Sequence, residues 1–375
     1  MAVSRINEAG LNVNQYGNRN IIINGSQIVN QRGTQTLTAS ATAQFGPDRF
    51  KLIAGGNVDN LVATIAQDSD VPSGSGFANS LKITTTTAES AIDAAEYVYL
   101  NHTIEAQNLQ QLAYGTSSAK EVTLSFWVKS TITGTFAVGL YKPDSTSQIH
   151  VKTYTISSAS TWEYKTVTFG ANALSGGAIV DDNGSGIEVA WHLAVGSNFK
   201  GTDTSSGWAG YSSASWGNGQ GTDAVITTTN ATYQITGVQL EVGDTATDFE
   251  HRTFGDELQR CRRYFQKIGN VSGNAYTPLT PYFDAASSSV GYCPIPLIPK
   301  MRTVPSFTNS GVGELGLSIG TGTSAVSAAA VQAGQGGEDF IVIKFTSSDT
   351  LTQYRPMRVY ANNDATAFLA FDSEL

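Results

Sequence analysis

Charged side chains are scarce in this sequence. Asp, Glu, Lys and Arg make up 14% of its 375 residues, where about a quarter is usual. What charge there is leans acidic, with 31 Asp and Glu against 22 Lys and Arg. That balance argues against general phosphate-backbone binding, which is driven by Lys and Arg displacing counterions, so no nucleic-acid partner is expected. Scarce charge beside 40% hydrophobic residues also argues against disorder, which needs the opposite composition.

Cysteine is nearly missing. Cys261 and Cys293 form no CxxC spacing, so a disulfide scaffold is not indicated and free buried thiols are expected. The four histidines, His102, His150, His192 and His251, are scattered with no HExxH spacing, and no GxSxG or phosphate-loop motif occurs. An active site needs groups with matched roles within reach of one another, and the sequence offers none, so the chain is expected to be no enzyme and to need no cofactor. A glycosidase needs only a carboxylate pair, but most Asp and Glu residues here stand in turns or beside Gly. Apolar runs are far short of the about 20 residues that span a bilayer, so no membrane insertion is expected. The opening MAVSRINEAG lacks the apolar stretch of a signal peptide, and synthesis in the cytoplasm is the expectation.

What is abundant is Thr, Val, Ile and aromatics, cut by 38 glycines and many serines. This reads as many strands joined by tight turns. Val122–Lys129 places Val122, Leu124, Phe126 and Val128 on one face. Ser80–Thr86 places Leu81 and Ile83 together, and Trp162–Phe169, Ile187–Val195 and Tyr233–Val242 continue the series. Alternation of this kind marks antiparallel sheets with one buried face. The length suggests two or three domains. Residues 34–252 predict a jelly-roll β-sandwich, and 271–375 a second, smaller β domain interrupted by the Pro-rich stretch CPIPLIPKMRTVPSF. Between them, 253–270 predicts a helix, with Leu258, Cys261, Tyr264 or Phe265, and Ile268 forming an apolar stripe and Gly269-Asn270 ending it. The fold class is therefore all-β with a short connecting helix. Residues 1–33 are rich in Asn, Gln and Gly around Ile21-Ile22-Ile23, with a turn signal at Asn24-Gly25. They read either as a leader plus first strand or as a segment docking on another subunit.

The candidate ligand contacts are Trp208, Tyr211 and Trp216, embedded in the Gly- and Ser-rich loop 201–222. Aromatic faces stack on the apolar faces of sugar rings, and long loops on a rigid sandwich make binding platforms. The competing reading is that these rings plug into their own domain. Asp181-Asp182-Asn183-Gly184 reads as an Asx turn between strands or, with its clustered oxygens, as a Ca²⁺ turn, so whether a metal is held stays unknown. Arg260, Arg262 and Arg263 form an anion patch or pair with Asp256 and Glu257 of neighbouring copies.

Taken together, several stretches resemble one family. RNIIINGSQIVNQRGT (19–34) with DRFKL (48–52) is similar to the opening of many phage tail-fibre and receptor-binding proteins. So are VTLSFWVKSTITGTFAVGL (122–140), TWEYKTVTF (161–169) and, most specifically, YQITGVQLEVGDTATDFEHRTFGDELQRCRRYFQK (233–267). The blocks occur in the family's order across 1–268. PLIPKMRTVPSF keeps the Met-Arg-x-x-Pro turn often seen after this helix, while 271–375 otherwise resembles nothing closely. The resemblance implies a carbohydrate-binding-module-like jelly roll, a place in the virion at the phage tail tip or fibre, and no catalytic residues. It also implies a homotrimer, in which Leu258, Cys261 and Phe265 of the helix would bury their face against symmetry-related copies. Residues 1–33 would dock on other phage tail or baseplate proteins, and the chain would attach the particle to a host surface glycan. The rival expectations are a tail connector that binds no receptor and a polysaccharide depolymerase.

Overall fold

A computed structural model describes residues 18–39, 42–269, 274–319 and 322–375. The chain divides into two compact units, Met1–Phe254 and Gly255–Leu375. Among the described residues no helix is long and apolar enough to cross a membrane.

The first unit is a two-sheet sandwich. Its strands are β1 (Gln35–Thr38), β2 (Ala43–Phe45), β3 (Phe50–Gly55), β4 (Val62–Asp68), β5 (Ser80–Thr87), β6 (Tyr97–Glu105), β7 (Val122–Ser130), β8 (Gly134–Lys142), β9 (Gln148–Ile156), β10 (Glu163–Phe169), β11 (Ser185–Val195), β12 (Ala209–Gly210) and β13 (Thr232–Val242). One sheet runs β1-β4-β5-β13-β7-β10 and the other β12-β9-β8-β11-β6-β3-β2. The chain switches sheets at most connections from β5 to β13, which is the winding of a jelly roll.

Alternation decides which residues meet between the sheets. Leu81, Ile83, Val122, Leu124, Phe126 and Val128 are fully buried, as their period-two spacing predicts. They meet Phe50, Leu52, Val98, Leu100 and Trp191 of the other sheet in one core. Phe126 packs edge-on against Trp191 at 6.0 Å and Tyr154 at 5.1 Å, and the Tyr154 and Tyr233 hydroxyls pair across the layers at 2.8 Å. Each such large apolar side chain contributes roughly 1.5–3 kcal/mol by leaving water.

The segment 18–33, expected as part of a separate docking piece, is folded into this unit. Ile22 lies in the core, Ile21 N–H donates to the Leu240 carbonyl at 2.9 Å, and the Asn24 amide donates to the Val29 and Asp48 carbonyls. Ile21 is irregular and Ile22–Asn24 form bends, rather than a strand. Asn24 takes a positive φ of 62°, as the turn signal implies. Gly25 then passes so close to Val238 that a Cβ would lie 2.0 Å from its carbonyl oxygen, which only glycine permits. The rest of the expected docking segment, 1–17, lies outside the described residues.

The second unit begins one residue into the helix Phe254–Arg262. It is shorter than the 253–270 expectation. Phe265 is not helical: it begins β14 (Phe265–Gly269), which pairs with β22 (Phe368–Asp372). The physical reason is that FQKIG gains a strand partner, and its aromatic and β-branched residues suit a pleated surface better than another helical turn. Cys261 and Phe265, expected to face symmetry copies, are buried in their own chain, and Leu258 is half-buried. Residue 270, the expected helix stop, lies outside the described residues. The other strands are β15 (Phe283–Asp284), β16 (Val290–Pro296), β17 (Ser306–Asn309), β18 (Leu315–Ser318), β19 (Thr323–Gly336), β20 (Phe340–Ser347) and β21 (Pro356–Ala361). They form the sheets β14-β22-β17 and β15-β21-β18-β19-β20-β16 around a separate core that includes Cys293, Ile343, Phe345 and Phe371. Both cysteines are free and buried, and burial pushes the Cys293 thiol up to about 11.

Candidate functional site

The loop 201–222 is pinned along its length. β12 pairs with β9, Tyr211 N–H donates to the Ser147 carbonyl at 2.9 Å, and Gly221 N–H to the Thr135 carbonyl at 2.9 Å. Its three aromatics have separate fates. Trp208 is 8% exposed and belongs to the sandwich core. Its indole N–H donates to the Gly170 carbonyl at 2.7 Å, and its ring meets Tyr114 and His150 edge-on. Trp216 is 7% exposed and packs with Ala137, Ile149, Val151 and Ala190 on the outer side of the seven-stranded sheet. Tyr211 is 43% exposed. Of the three sequence candidates, then, Trp208 and Trp216 are anchors and Tyr211 alone offers a ring to solvent.

Trp216 organises a wider aromatic cluster. Its ring stands edge-on to Tyr99 at 5.3 Å, His192 at 5.3 Å, Tyr141 at 5.5 Å and Tyr211 at 6.3 Å. Tyr211 lies 4.9 Å from Tyr141, and Tyr97 lies 5.8 Å from Tyr99. The strands dictate this grouping. Tyr97, Tyr99 and Asn101 are alternate residues of β6, while Val98 and Leu100 between them are fully buried. In β11 the alternate residues Glu188, Ala190 and His192 stand opposite Thr103, Asn101 and Tyr99, and Glu188 is also opposite Tyr141. Lys51 of β3 stands opposite Asn101.

The polar groups of this face are held in fixed orientations. Thr103 donates to Asn101 Oδ1 at 2.9 Å, and Asn101 Nδ2 donates to Glu188 Oε2 at 3.1 Å. Burial raises the Glu188 carboxyl, against the lowering influence of Lys51 and the Asn101 bond. Burial first, then the nearby Glu188 charge, pushes the Tyr99 hydroxyl well above its ordinary value. Tyr211 is raised by burial and by Tyr141, Tyr97 and Glu188. The Tyr99 and Tyr211 phenols, a carboxylate and an ammonium thus share one face of the sheet, with the Asn101 amide buried and holding the carboxylate in place. Such a surface can stack an apolar ring face and exchange hydrogen bonds with hydroxyl groups.

Tyr97, Tyr99, Tyr141, Asn101, Glu188 and Lys51 were not singled out by sequence. Alternation in YVYLN marks Tyr97, Tyr99 and Asn101 as co-facial, but only the β6–β11–β8 pairing brings Glu188 and Tyr141 beside them. The remaining sequence candidates gather no such group. Asp182 Oδ1 accepts the Gly184 N–H at 2.8 Å, the bond of an Asx turn. No group of three or more metal-ligating side chains occurs among the described residues. In the arginine run, the Arg263 carbonyl accepts the Arg302 N–H at 2.8 Å, and the Arg262 carbonyl accepts the Gln266 amide at 3.1 Å.

No protein-family profile matches the chain, and no curated protein is significantly similar to it. Some solved structures are similar at low identity. An enzymatically active domain of tailspike protein 4 from bacteriophage CBA120 matches at 14% identity over 60% of this chain, with a TM-score of 0.30. This chain spans only 22% of that protein's length. A family 11 carbohydrate-binding module from Clostridium thermocellum matches at 13% identity over 59% of this chain and 98% of the module, with a TM-score of 0.27. A xylan-binding domain from Paenibacillus barcinonensis matches at 10% identity over 56% of this chain and 95% of the domain, with a TM-score of 0.24.

Proposed function

We propose that this chain is a non-catalytic carbohydrate-binding protein of a phage tail, attaching the particle to a host surface glycan through the outer face of the seven-stranded sheet. The observation that carries the binding reading is the co-facial set Tyr99, Tyr141 and Tyr211 around the Asn101–Glu188 pair. The phage-tail reading rests on the ordered sequence blocks across 1–268. In this reading the protein is a homotrimer in the virion, and its N-terminal segment contacts other tail or baseplate proteins. Many weak sites on one particle give avidity without tight single contacts.

The test has two arms. The full chain is applied to a printed array of bacterial and plant polysaccharide fragments, beside a variant carrying Tyr99→Ala and Tyr141→Ala. Binding by the wild type that the double variant loses, with folding intact, supports the glycan site. Equal binding by both removes it. In the second arm, purified protein is added to host cells before phage. Unblocked adsorption by folded protein counts against the attachment role while leaving any array result standing.

A further inference from the structure

The opposite side of the sandwich carries a second aromatic surface. Much of the outer face of the six-stranded sheet is polar, as at Thr123 and Thr168, whose hydroxyls pair at 3.1 Å, and at Lys82 and Asp68, which form an ion pair. The exception lies where β13 bulges. The β13–β7 register shifts between Thr236 and Gln239, and Gly237 inside the bulge has a φ of +60°. A Cβ there would stand 2.5 Å from Phe77 Cζ and 3.2 Å from Trp127 Cδ1. The bulge therefore removes one side chain from the face and lets two aromatic rings close on bare backbone.

The result is an open groove of about 590 Å³ lined by Phe77, Trp127, Tyr164, Phe249 and His251, with Ser75, Thr247 and Asp248 also bordering it. Trp127 and Tyr164 are directly opposite on β7 and β10, with ring centroids 5.3 Å apart, and Tyr164 is 44% exposed. Across the groove, Phe77, Phe249 and His251 pack mutually at 4.9–5.2 Å. Two residues from Trp127 along β7, about 7 Å away, lies Lys129, and Trp162 stands just before the start of β10. Asp70 fixes both, pairing with Lys129 Nζ and accepting the Trp162 indole N–H at 3.1 Å.

We propose that this groove is a second carbohydrate site, taking a pyranose ring against Trp127 and Tyr164 and a neighbouring sugar against Trp162. Its volume falls in the range of small-ligand sites. Its make-up of aromatic walls bordered by hydroxyl, carboxylate and imidazole groups matches a sugar, which is apolar on its ring faces and hydroxylated at its edge. The Ser75 and Thr247 hydroxyls already bond within the fold, but a purely apolar ligand would leave the Asp248 carboxylate and the His251 imidazole unmatched. The site shares no residue with the seven-stranded face and stands independently of the reading given for it.

The full-length protein, a Trp127→Ala/Tyr164→Ala variant and the Tyr99→Ala/Tyr141→Ala variant are compared on the same polysaccharide array, with thermal unfolding of each. The groove variant is expected to lose at least fivefold in apparent affinity for one or more bound glycans. Tyr164→Ala alone, at an exposed position, should lose part of that affinity with an unchanged melting temperature, and Trp127→Phe, which keeps a ring, should recover most of it. Wild-type binding retained in full by Trp127→Ala/Tyr164→Ala overturns the groove site even if the other double variant loses binding. Loss only in the groove variant upholds it and removes the seven-stranded face instead. A wild type that binds no fragment on the array overturns both.

Discussion

Trp208 and Tyr211 stand three residues apart in one loop, yet one is sealed in the sandwich core and the other lies open on the tyrosine face. The difference comes from what each ring can reach. Trp208 finds a carbonyl for its indole N–H at Gly170 and ring edges at Tyr114 and His150, so nearly all of its surface is used in folding. Tyr211 leans on Tyr141 and Trp216 and keeps part of its ring uncovered. A ring already satisfied by its own chain holds the platform in place. A ring left half-covered is where a ligand can still gain contact.

The sharpest way to break this contrast is Trp208→Ala. Truncating a buried tryptophan costs about 3–5 kcal/mol through lost burial and the cavity left behind. Urea unfolding should show a loss of that size, the mark of a ring spent on the fold. A loss below about 1 kcal/mol would mean that the loop is not anchored through this ring.

Acid should separate the inner and outer surfaces next. His102, wedged against Phe50 inside the sandwich, and His192, beneath Trp216 outside it, are both pulled down to about 3 by burial. The folded protein keeps them neutral, while the unfolded chain takes up protons below about 6.5. Their contribution is therefore complete above that pH and declines as pH falls toward 3. At pH 5 the loss is about 2 kcal/mol for each histidine. Trp216→Ala should admit water to His192 and restore its ordinary titration, with no such effect on His102. Comparing unfolding at pH 7.5 and pH 5, the variant should lose about 2 kcal/mol less than wild type. An identical pH dependence would show that Trp216 is not what keeps His192 dry.

The inward faces of β5, β7 and β10 were legible in sequence because alternation reports burial directly: Leu81, Leu124, Phe126 and Phe169 are where period two puts them. The length of the connecting helix was not. Cys261, Tyr264 and Phe265 are all buried, so an apolar stripe at helical spacing is satisfied equally by a short helix, a turn and the first residue of a strand. The decision lay with Phe368–Asp372, about a hundred residues downstream. The candidate site was legible in chemistry and not in placement. Sequence pointed to aromatics in the 201–222 loop, but a Gly-rich setting does not tell an anchor from a platform. Tyr99, Tyr141 and Glu188 come together through pairing registers among β6, β8 and β11, and no local pattern encodes those registers.

The smallest expected effect tests the platform itself. Tyr211→Ala should change unfolding free energy by no more than about 0.5 kcal/mol, since a ring this exposed holds little of the fold together. It should weaken glycan binding by about 1 kcal/mol, or roughly fivefold in Kd, the scale of one lost aromatic contact. Tyr141→Ala removes the ring on which Tyr211 rests, so it should weaken binding at least as much. The two losses should combine to less than their sum, because each ring positions the other. Calorimetric titration of the two single variants and the double variant decides between coupled and separate contacts. Additive losses would mean that Tyr141 and Tyr211 touch different parts of the ligand. No loss from either would move binding away from this half of the face, toward Tyr97 and Lys51.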